Sequence, residues 1–321
     1  MRPVGIGLAG LGRWGRNYVK TLLALPECRL VAMADADRAV RDRLSAETGI
    51  PVRASAEELL MESAVEAVVI ATPDRTHCSL AAAALAAGRD VLVEKPMALA
   101  PSEAESLLTQ AEAGDRVLAV GHTAVYQAGL ADLMTELSTW PPARDRIASA
   151  VRTSSGYEDG RSNPILDLCP HDVALGVLLF GIPVAARAQA DRKRAEYEVR
   201  FEHGALLKGL AEWRHPPHTR EFRVAGALHV LGDKFGGNGQ TDVRETPLGR
   251  QCLDFITSCR TRRQPQSSGR LGANVVRCLN ALASSARNGG DWLEAAAPET
   301  AGAQVQAAHS EPAPVVVGVR A

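Results

Sequence analysis

The stretch "GIGLAGLGRWG", residues 5–15, decides how this chain folds. Gly10, Gly12 and Gly15 form Gly-x-Gly-x-x-Gly directly after an apolar run, Val4–Ala9, and at the opening of a helical pattern, Arg13–Leu25. The first glycine permits a tight turn, the second lets backbone approach a pyrophosphate, and the third allows close helix–strand contact. The helix N-terminus, which begins with Arg13 and Trp14, then offers unpaired N–H groups and partial positive charge to phosphates. Asp35 ends the next strand, placed to accept hydrogen bonds from the adenosine ribose, which favours NAD. Arg38 lies near enough in sequence to serve a 2′-phosphate, so NADP stays open. The competing reading makes Asp35 a helix N-cap.

Outward from the motif, short apolar runs alternate with helical patterns, the mark of a parallel sheet covered by helices. Val4–Ala9, Arg29–Ala34, Ala67–Ala71, Asp90–Val93 and Val117–Gly121 read as strands. Arg13–Leu25, Asp37–Thr48, Ala56–Glu62, Arg75–Ala87 and Ser102–Ala113 read as helices, three of them stopped by Gly49, Gly88 and Gly114. The character changes near His122. A helix over Gln127–Leu137 and a loop at Trp140-Pro141-Pro142 lead into a strand-like region with Tyr197–Phe201, Ala205–Trp213 and Glu221–Val230. One helix, roughly Pro164–Phe180, interrupts it, and helices near Leu248–Arg260 and Leu271–Ala286 follow. The expected division is a dinucleotide-binding domain at 1–122, a substrate-binding domain at 123–292 and a mobile tail at 293–321.

With 321 residues, 46% apolar and 23% charged, the chain has room for two ordinary cores and the proportions of a soluble globular protein. A formal net charge of −1 gives no footprint for nucleic acid or an anionic membrane. No apolar run reaches the roughly 18 to 20 residues that cross a bilayer. Met1-Arg2-Pro3 leads straight into the motif without the apolar segment of a signal peptide. The six cysteines show no Cys-x-x-Cys or metal-ligand spacing and read as reduced thiols of a cytoplasmic protein. No metal is expected: "HPPH", residues 215–218, sets two prolines between its histidines with no supporting carboxylate or thiolate cluster.

Three further stretches carry chemistry. "ATPDRTH", residues 71–77, ends a strand at the edge where such sheets bind ligands. Thr72 and Pro73 are therefore expected on the cofactor cleft and His77 near it, although a first-turn helix residue is the plainer reading of His77. "VLVEKP", residues 91–96, brings Glu94 and Lys95 out at the same end of the next strand, where Pro96 turns the chain. A lysine there can donate to a substrate oxygen and stabilise negative charge on it; a surface Glu–Lys pair is the plainer alternative. "ILDLCPHDVAL", residues 165–175, spaces Asp167 and His171 one helical turn apart, on one face if the helix is continuous, with Pro170 inside it. Asp172 reads as the partner of a nearby arginine.

Together with "GHT" at 121–123, "EWRHP" at 212–216 and "PLGRQCLDFITSCRTRRQP" at 247–265, these residues resemble the glucose–fructose oxidoreductase, inositol dehydrogenase and MocA family over nearly the whole chain to about Asp291. "EKP" followed some seventy residues later by Asp-x-x-x-His is the most specific part. The resemblance implies a Rossmann domain followed by an α+β domain with a large, mainly antiparallel open sheet, paired into homodimers or homotetramers. An open sheet would also leave an apolar face or edge to cover. It implies Lys95 and His171 as catalytic pair, Asp167 positioning them, and Glu94 beside the cofactor. The wording "DLxPHD" is closest to members acting on sugar nucleotides, including deoxysugar ketoreductases, while "SSGYEDGRSNP" at 154–164 departs from theirs. The expected activity is hydride transfer between nicotinamide and a hydroxyl or ketone of a sugar, sugar nucleotide or cyclitol. Reduction of an imine or other C=X bond on the same scaffold is one alternative, and a non-catalytic NAD-binding sensor or scaffold is another.

Overall fold

A computed structural model describes residues 2–140, 146–155, 163–232 and 242–295. The first sheet holds β1 (Val4–Ala9), β2 (Cys28–Ala34), β3 (Val52–Arg53), β4 (Ala67–Ile70), β5 (Asp90–Val93) and β6 (Leu118–Val120). Every pairing in it is parallel, in the order β3-β2-β1-β4-β5-β6. The order reverses between β1 and β4, so a ligand crevice opens beyond their carboxyl ends. Buried on both faces, β1 and β4 are runs of apolar residues and glycine, and β5 is apolar after its first residue, Asp90.

Helices α1 (Arg13–Leu23), α2 (Arg38–Thr48), α3 (Ala56–Leu60), α4 (His77–Ala86) and α5 (Pro101–Ala113) cover this sheet. Asp37, not Asp35, caps α2, its carboxylate accepting the Ala39 N–H. The α5 start has no cap side chain at Ala100; instead Glu103 accepts the N–H groups of Leu99 and Ala100, both at 3.1 Å. Gly49 and Gly88 end their helices in the left-handed region, whereas after α5 Gly114 stays right-handed and Asp115 takes φ 49°.

A helix α6 (Leu130–Ser138) leads to the second sheet; it starts later than the sequence suggests, because Gly129 at φ 85° separates it from a 3₁₀ turn at Thr123–Tyr126. The second sheet contains β7 (Ile147–Ser154), β8 (Pro183–Ala190), β9 (Arg194–Phe201), β10 (Leu206–Trp213), β11 (Arg220–Val224), β12 (Val230–Gly232) and β13 (Leu293–Glu294). Its order is β12-β11-β7-β10-β9-β8-β13, with β7–β10 parallel and the other pairs antiparallel. This is the Rossmann-plus-open-sheet architecture expected. The run Glu221–Val230 is two strands rather than one, since Gly226 at φ 84° turns β11 back onto β12. Leu293–Glu294, placed above with the tail, pairs with β8; residues 296–321, like the Pro141-Pro142 loop and most of 154–164, lie outside the described residues.

The helix expected over Pro164–Phe180 is likewise two pieces, α7 (Pro164–Asp167) and α8 (Cys169–Phe180). Pro170 has no N–H to give the Leu166 carbonyl, so the ladder is interrupted there. Helix α8 and α10 (Gly269–Arg287), the last helix among the described residues, pack on the inner face of the second sheet. Helix α9 (Pro247–Thr261) returns to the first, where Cys252, Phe255 and Ile256 join Ile6, Leu8 and Tyr18 in one core. The outer face of the second sheet is not the apolar surface expected of an open sheet. Arg187 and Lys208 meet Glu198, at 2.6 and 3.5 Å, and Arg194 meets Glu196 at 2.5 Å, with Ile147 and Val184 exposed among them.

Candidate active site

The glycine turn is built by exclusion of side chains. Gly10, at φ 89°, sits where a Cβ would lie 2.6 Å from the Ala71 backbone. At Gly15 a Cβ would meet the Gly10 carbonyl at 2.0 Å, so only glycine lets α1 close on the turn. A Cβ on Gly12 would meet nothing within 4 Å; it faces the open cleft. The turn is braced from β2: Asp35 accepts the Leu11 N–H at 2.7 Å and the Asp37 N–H at 2.9 Å.

A cleft of about 760 Å³ runs along this edge, walled by Gly10, Gly12, Arg13, Trp14, Asp35, Thr72 and Pro73 among others. Its small apolar walls and backbone groups suit an adenosine and a pyrophosphate, so the residues present fit a dinucleotide. Arg38 does not reach this wall; it is exposed and pairs with Asp42 at 3.5 Å. Arg41 instead binds the carbonyls of Asp35 and Ala36, at 3.0 and 2.8 Å. Arg75, which the sequence reading passed over, lines the cleft. His77 is buried below it, its two ring nitrogens each 2.8 Å from a carbonyl, Thr72 O and Pro96 O. It ties the two loops together and does not line the cleft.

Trp14 continues from the cleft into a second cavity with Thr72, Glu94, Lys95 and Asp167, and into a third with Lys95, Asp167 and His171. The three therefore form one crevice running from the glycine turn across the end of β5. Glu94 anchors that end. Its buried carboxylate accepts the Tyr18 hydroxyl at 2.7 Å and the Lys95 N–H at 3.2 Å, and burial pushes its pKa up. The glycine of "GHT" now has a reason, because a Cβ on Gly121 would come within 2.8 Å of the Glu94 carboxylate.

Lys95 extends from this anchor to donate to the Asp167 carbonyl at 2.7 Å, with the Asp167 carboxylate at 3.3 Å. The other carboxylate oxygen accepts the indole N–H of Trp213 at 3.0 Å. Although the helix is broken, Asp167 and His171 still line the cavity together with Lys95. Burial, then the charges of Arg152 and Lys95, holds His171 well below the ordinary imidazole range. Its Nδ1 meets no hydrogen-bond partner among the described residues. Behind it His122 is buried, bound to the Ser267 hydroxyl at 3.2 Å and depressed to about 3, by burial first and Lys95 second. Asp172 has its arginine: Arg152 donates to it at 2.6 and 2.9 Å. Among the described residues no group of three or more His, Cys, Asp or Glu side chains could hold a metal, and His218 of "HPPH" lies 3.1 Å from the Ser155 hydroxyl.

Sequence reasoning missed Trp213, Arg152, Arg220 and Tyr18 at this site. "EWRHP" marked Trp213 by resemblance, but only strand register brings it beside Asp167.

A Rossmann domain with an intact glycine cradle opens onto a polar cavity carried by a second, mainly antiparallel sheet, the arrangement of a dinucleotide-binding domain joined to a second domain that completes its cleft. Residues 4–122 match the model of the glucose–fructose oxidoreductase, inositol dehydrogenase and MocA family, described as an oxidoreductase family with an NAD-binding Rossmann fold. The chain is 33% identical to inositol 2-dehydrogenase 1 of Saccharopolyspora erythraea over 42% of this chain and 41% of that protein. It is 32% identical to the UDP-N-acetylglucosamine 3-dehydrogenase of Acidithiobacillus ferrooxidans over 57% of this chain and 56% of that protein. The matched part thus spans about half the length of these curated relatives. In fold it is similar to GenD2 from gentamicin A biosynthesis, solved in complex with NAD, with a TM-score of 0.82 at 22% identity over 92% of this chain and 97% of that one. No helix among the described residues is long and apolar enough to cross a membrane.

Proposed function

We propose that the protein is an NAD(P)-dependent dehydrogenase that moves a hydride between nicotinamide and a carbon-bound hydroxyl or ketone of a sugar, sugar nucleotide or cyclitol. The observation that carries this reading is one crevice joining the glycine turn to Lys95, Asp167 and His171. The names of the inositol and sugar-nucleotide dehydrogenases to which the chain is similar support the substrate class.

Gly10, Gly12 and the start of α1 would hold the pyrophosphate, Asp35 the adenosine ribose, and Trp14, Thr72 and Pro73 the path toward Lys95. Bound there, the nicotinamide supplies the acceptor or donor of the hydride. His171, neutral at pH 7 because its pKa is depressed, takes the hydroxyl proton as general base. The ammonium of Lys95 donates to the same oxygen and stabilises the charge that develops on it. Asp167 fixes the ammonium through its carbonyl and carboxylate, and Trp213 fixes the carboxylate. Preference for NAD follows from the Asp35 carboxylate on the cleft and from Arg38 pointing elsewhere. Copies associate through the second sheet in this reading, with the charge ladder of its outer face as the contact. Light scattering that shows a monomer at micromolar concentration would refute that part. The activity itself is tested by screening sugar nucleotides, free sugars and cyclitols for cofactor reduction followed by absorbance. No turnover with any of these classes, despite tight NAD binding, would contradict it.

A further inference from the structure

Lys95 is held at both ends. Its ammonium donates to Asp167, and its main-chain N–H donates to Oε2 of Glu94, the residue before it, at 3.2 Å. The other oxygen of that carboxylate accepts the Tyr18 hydroxyl at 2.7 Å, and the Gln251 side-chain amide donates to the same hydroxyl at 2.9 Å. A chain of donors, Gln251 to Tyr18 to Glu94, thus joins α9 through α1 to the end of β5. All three residues are buried, and none of them lines the cavity that holds Lys95 and His171.

A carboxylate taken out of water stays charged only where donors and nearby cations favour that form. Burial raises the Glu94 pKa, while the Tyr18 hydroxyl and the charges of Lys95 and His77 draw it back down. Tyr18 and the Cys252 thiol, which also face it, are themselves pushed up by burial and stay neutral. An ionised acceptor grips an N–H roughly twice as strongly as a neutral one. The charge on Glu94 therefore sets how firmly the Lys95 peptide is held. We propose that Tyr18 and Gln251 are positioning residues for Lys95: donating along this chain, they keep Glu94 an ionised acceptor and so fix the peptide from which the lysine reaches the reacting oxygen. This rests on the reading of Lys95 as the group that faces that oxygen.

The test uses the full-length protein and Tyr18→Phe, which keeps the ring and loses the donor. With glutamate labelled by carbon-13 at its carboxyl, the NMR signal of Glu94 is identified by its loss in Glu94→Gln and needs no substrate. It should titrate at higher pH in Tyr18→Phe than in the wild type, because the charged form has lost a hydrogen bond. Turnover is then followed at saturating NAD with UDP-N-acetylglucosamine, D-glucose and myo-inositol, one probe for each substrate class. Tyr18→Phe should lower kcat about tenfold, the worth of a hydrogen bond to a charged group, with NAD affinity unchanged. A carboxylate that must be ionised loses its effect as pH falls through its pKa, so the acid limb of the kcat profile should move to higher pH. Gln251→Leu, the milder variant should Tyr18→Phe not fold, should act in the same direction and more weakly. Added to Glu94→Gln, Tyr18→Phe should cost little more, since the chain acts through that one carboxylate. A purely structural network predicts a lower melting temperature with kcat and the acid limb at their wild-type values. That result, an unmoved Glu94 titration, or losses that multiply in the double variant would overturn the proposal. Normal turnover by Lys95→Ala, or none by the wild type with any probe, would instead sink the reading of Lys95 itself, and the proposal with it.

Discussion

Trp14 stands where two unlike regions of the crevice meet. On one side lies the nucleotide cleft, made of backbone, alanines and glycines whose absent side chains leave its shape. On the other lies a smaller cavity whose character comes from charged side chains: Lys95 from the end of β5, Asp167 and His171 from α7 and α8, Arg152 and Arg220 from β7 and β11. The cleft is assembled by a single strand–turn–helix, with one brace from Asp35. The cavity is assembled by tertiary packing of elements far apart in the chain. In the proposed reading, the first region would serve any reaction run on the same cofactor and the second would select the substrate.

The same difference explains what the sequence disclosed. Gly10, Gly12 and Gly15 could be read directly, because the constraints on each act within one turn. Lys95 could be placed because Asp90–Val93 is continuous and buried, which fixes where Glu94 and Lys95 emerge. Trp213 and Arg220 could not. Their roles depend on the register that sets Trp213 against Ser154 and Arg220 against Arg152, and nothing local encodes it. Arg38 looked close to the ribose by count alone, yet helix geometry turns it toward Asp42. The break at Leu168 was signalled by Pro170, which made the shared face of Asp167 and His171 conditional on a continuous helix.

If the two regions are separable in function, substitutions should sort cleanly between them. The largest effects belong to the cavity. Lys95→Ala and His171→Ala should each lower kcat by roughly 10²- to 10⁴-fold while NAD affinity, read by fluorescence titration, stays near wild type. In the cleft, Asp35→Ala should weaken NAD binding by about 10- to 100-fold, the worth of about 1.5–3 kcal/mol for a charge-assisted hydrogen bond, with kcat at saturation changed far less. Tighter binding of NADPH than NADH by the wild type would break the NAD assignment.

A third expectation follows from the histidines. The unfolded chain protonates them near pH 6.5, whereas His122 is held at about 3 and His171 well below its ordinary range. Between those values the unfolded state binds more protons, so stability is unaffected above about pH 6.5 and falls as pH drops below it. For His122 this amounts to about 1.4 kcal/mol per pH unit, roughly 2 kcal/mol by pH 5, and His171 acts in the same direction. Urea unfolding at pH 7 and pH 5 checks this, and His122→Asn should remove one histidine's share. The smallest effect concerns the contact between Trp213 and Asp167. Trp213→Phe keeps the ring and loses one hydrogen bond worth about 1–1.5 kcal/mol, hence about tenfold in kcat, with cofactor affinity untouched. A wild-type kcat in that variant would mean Asp167 needs no such support.

The central claim is that Lys95 and His171 act on one substrate oxygen, and a double-mutant cycle on kcat tests it most directly. Groups that act as a unit are strongly non-additive. With a substrate found by the screen, Lys95→Ala, His171→Ala and the double variant are compared at saturating NAD, each verified as folded by its melting transition. The account predicts that the double variant loses little more than the worse single variant. Near wild-type turnover in folded Lys95→Ala, or losses that multiply fully in the double variant, would contradict it.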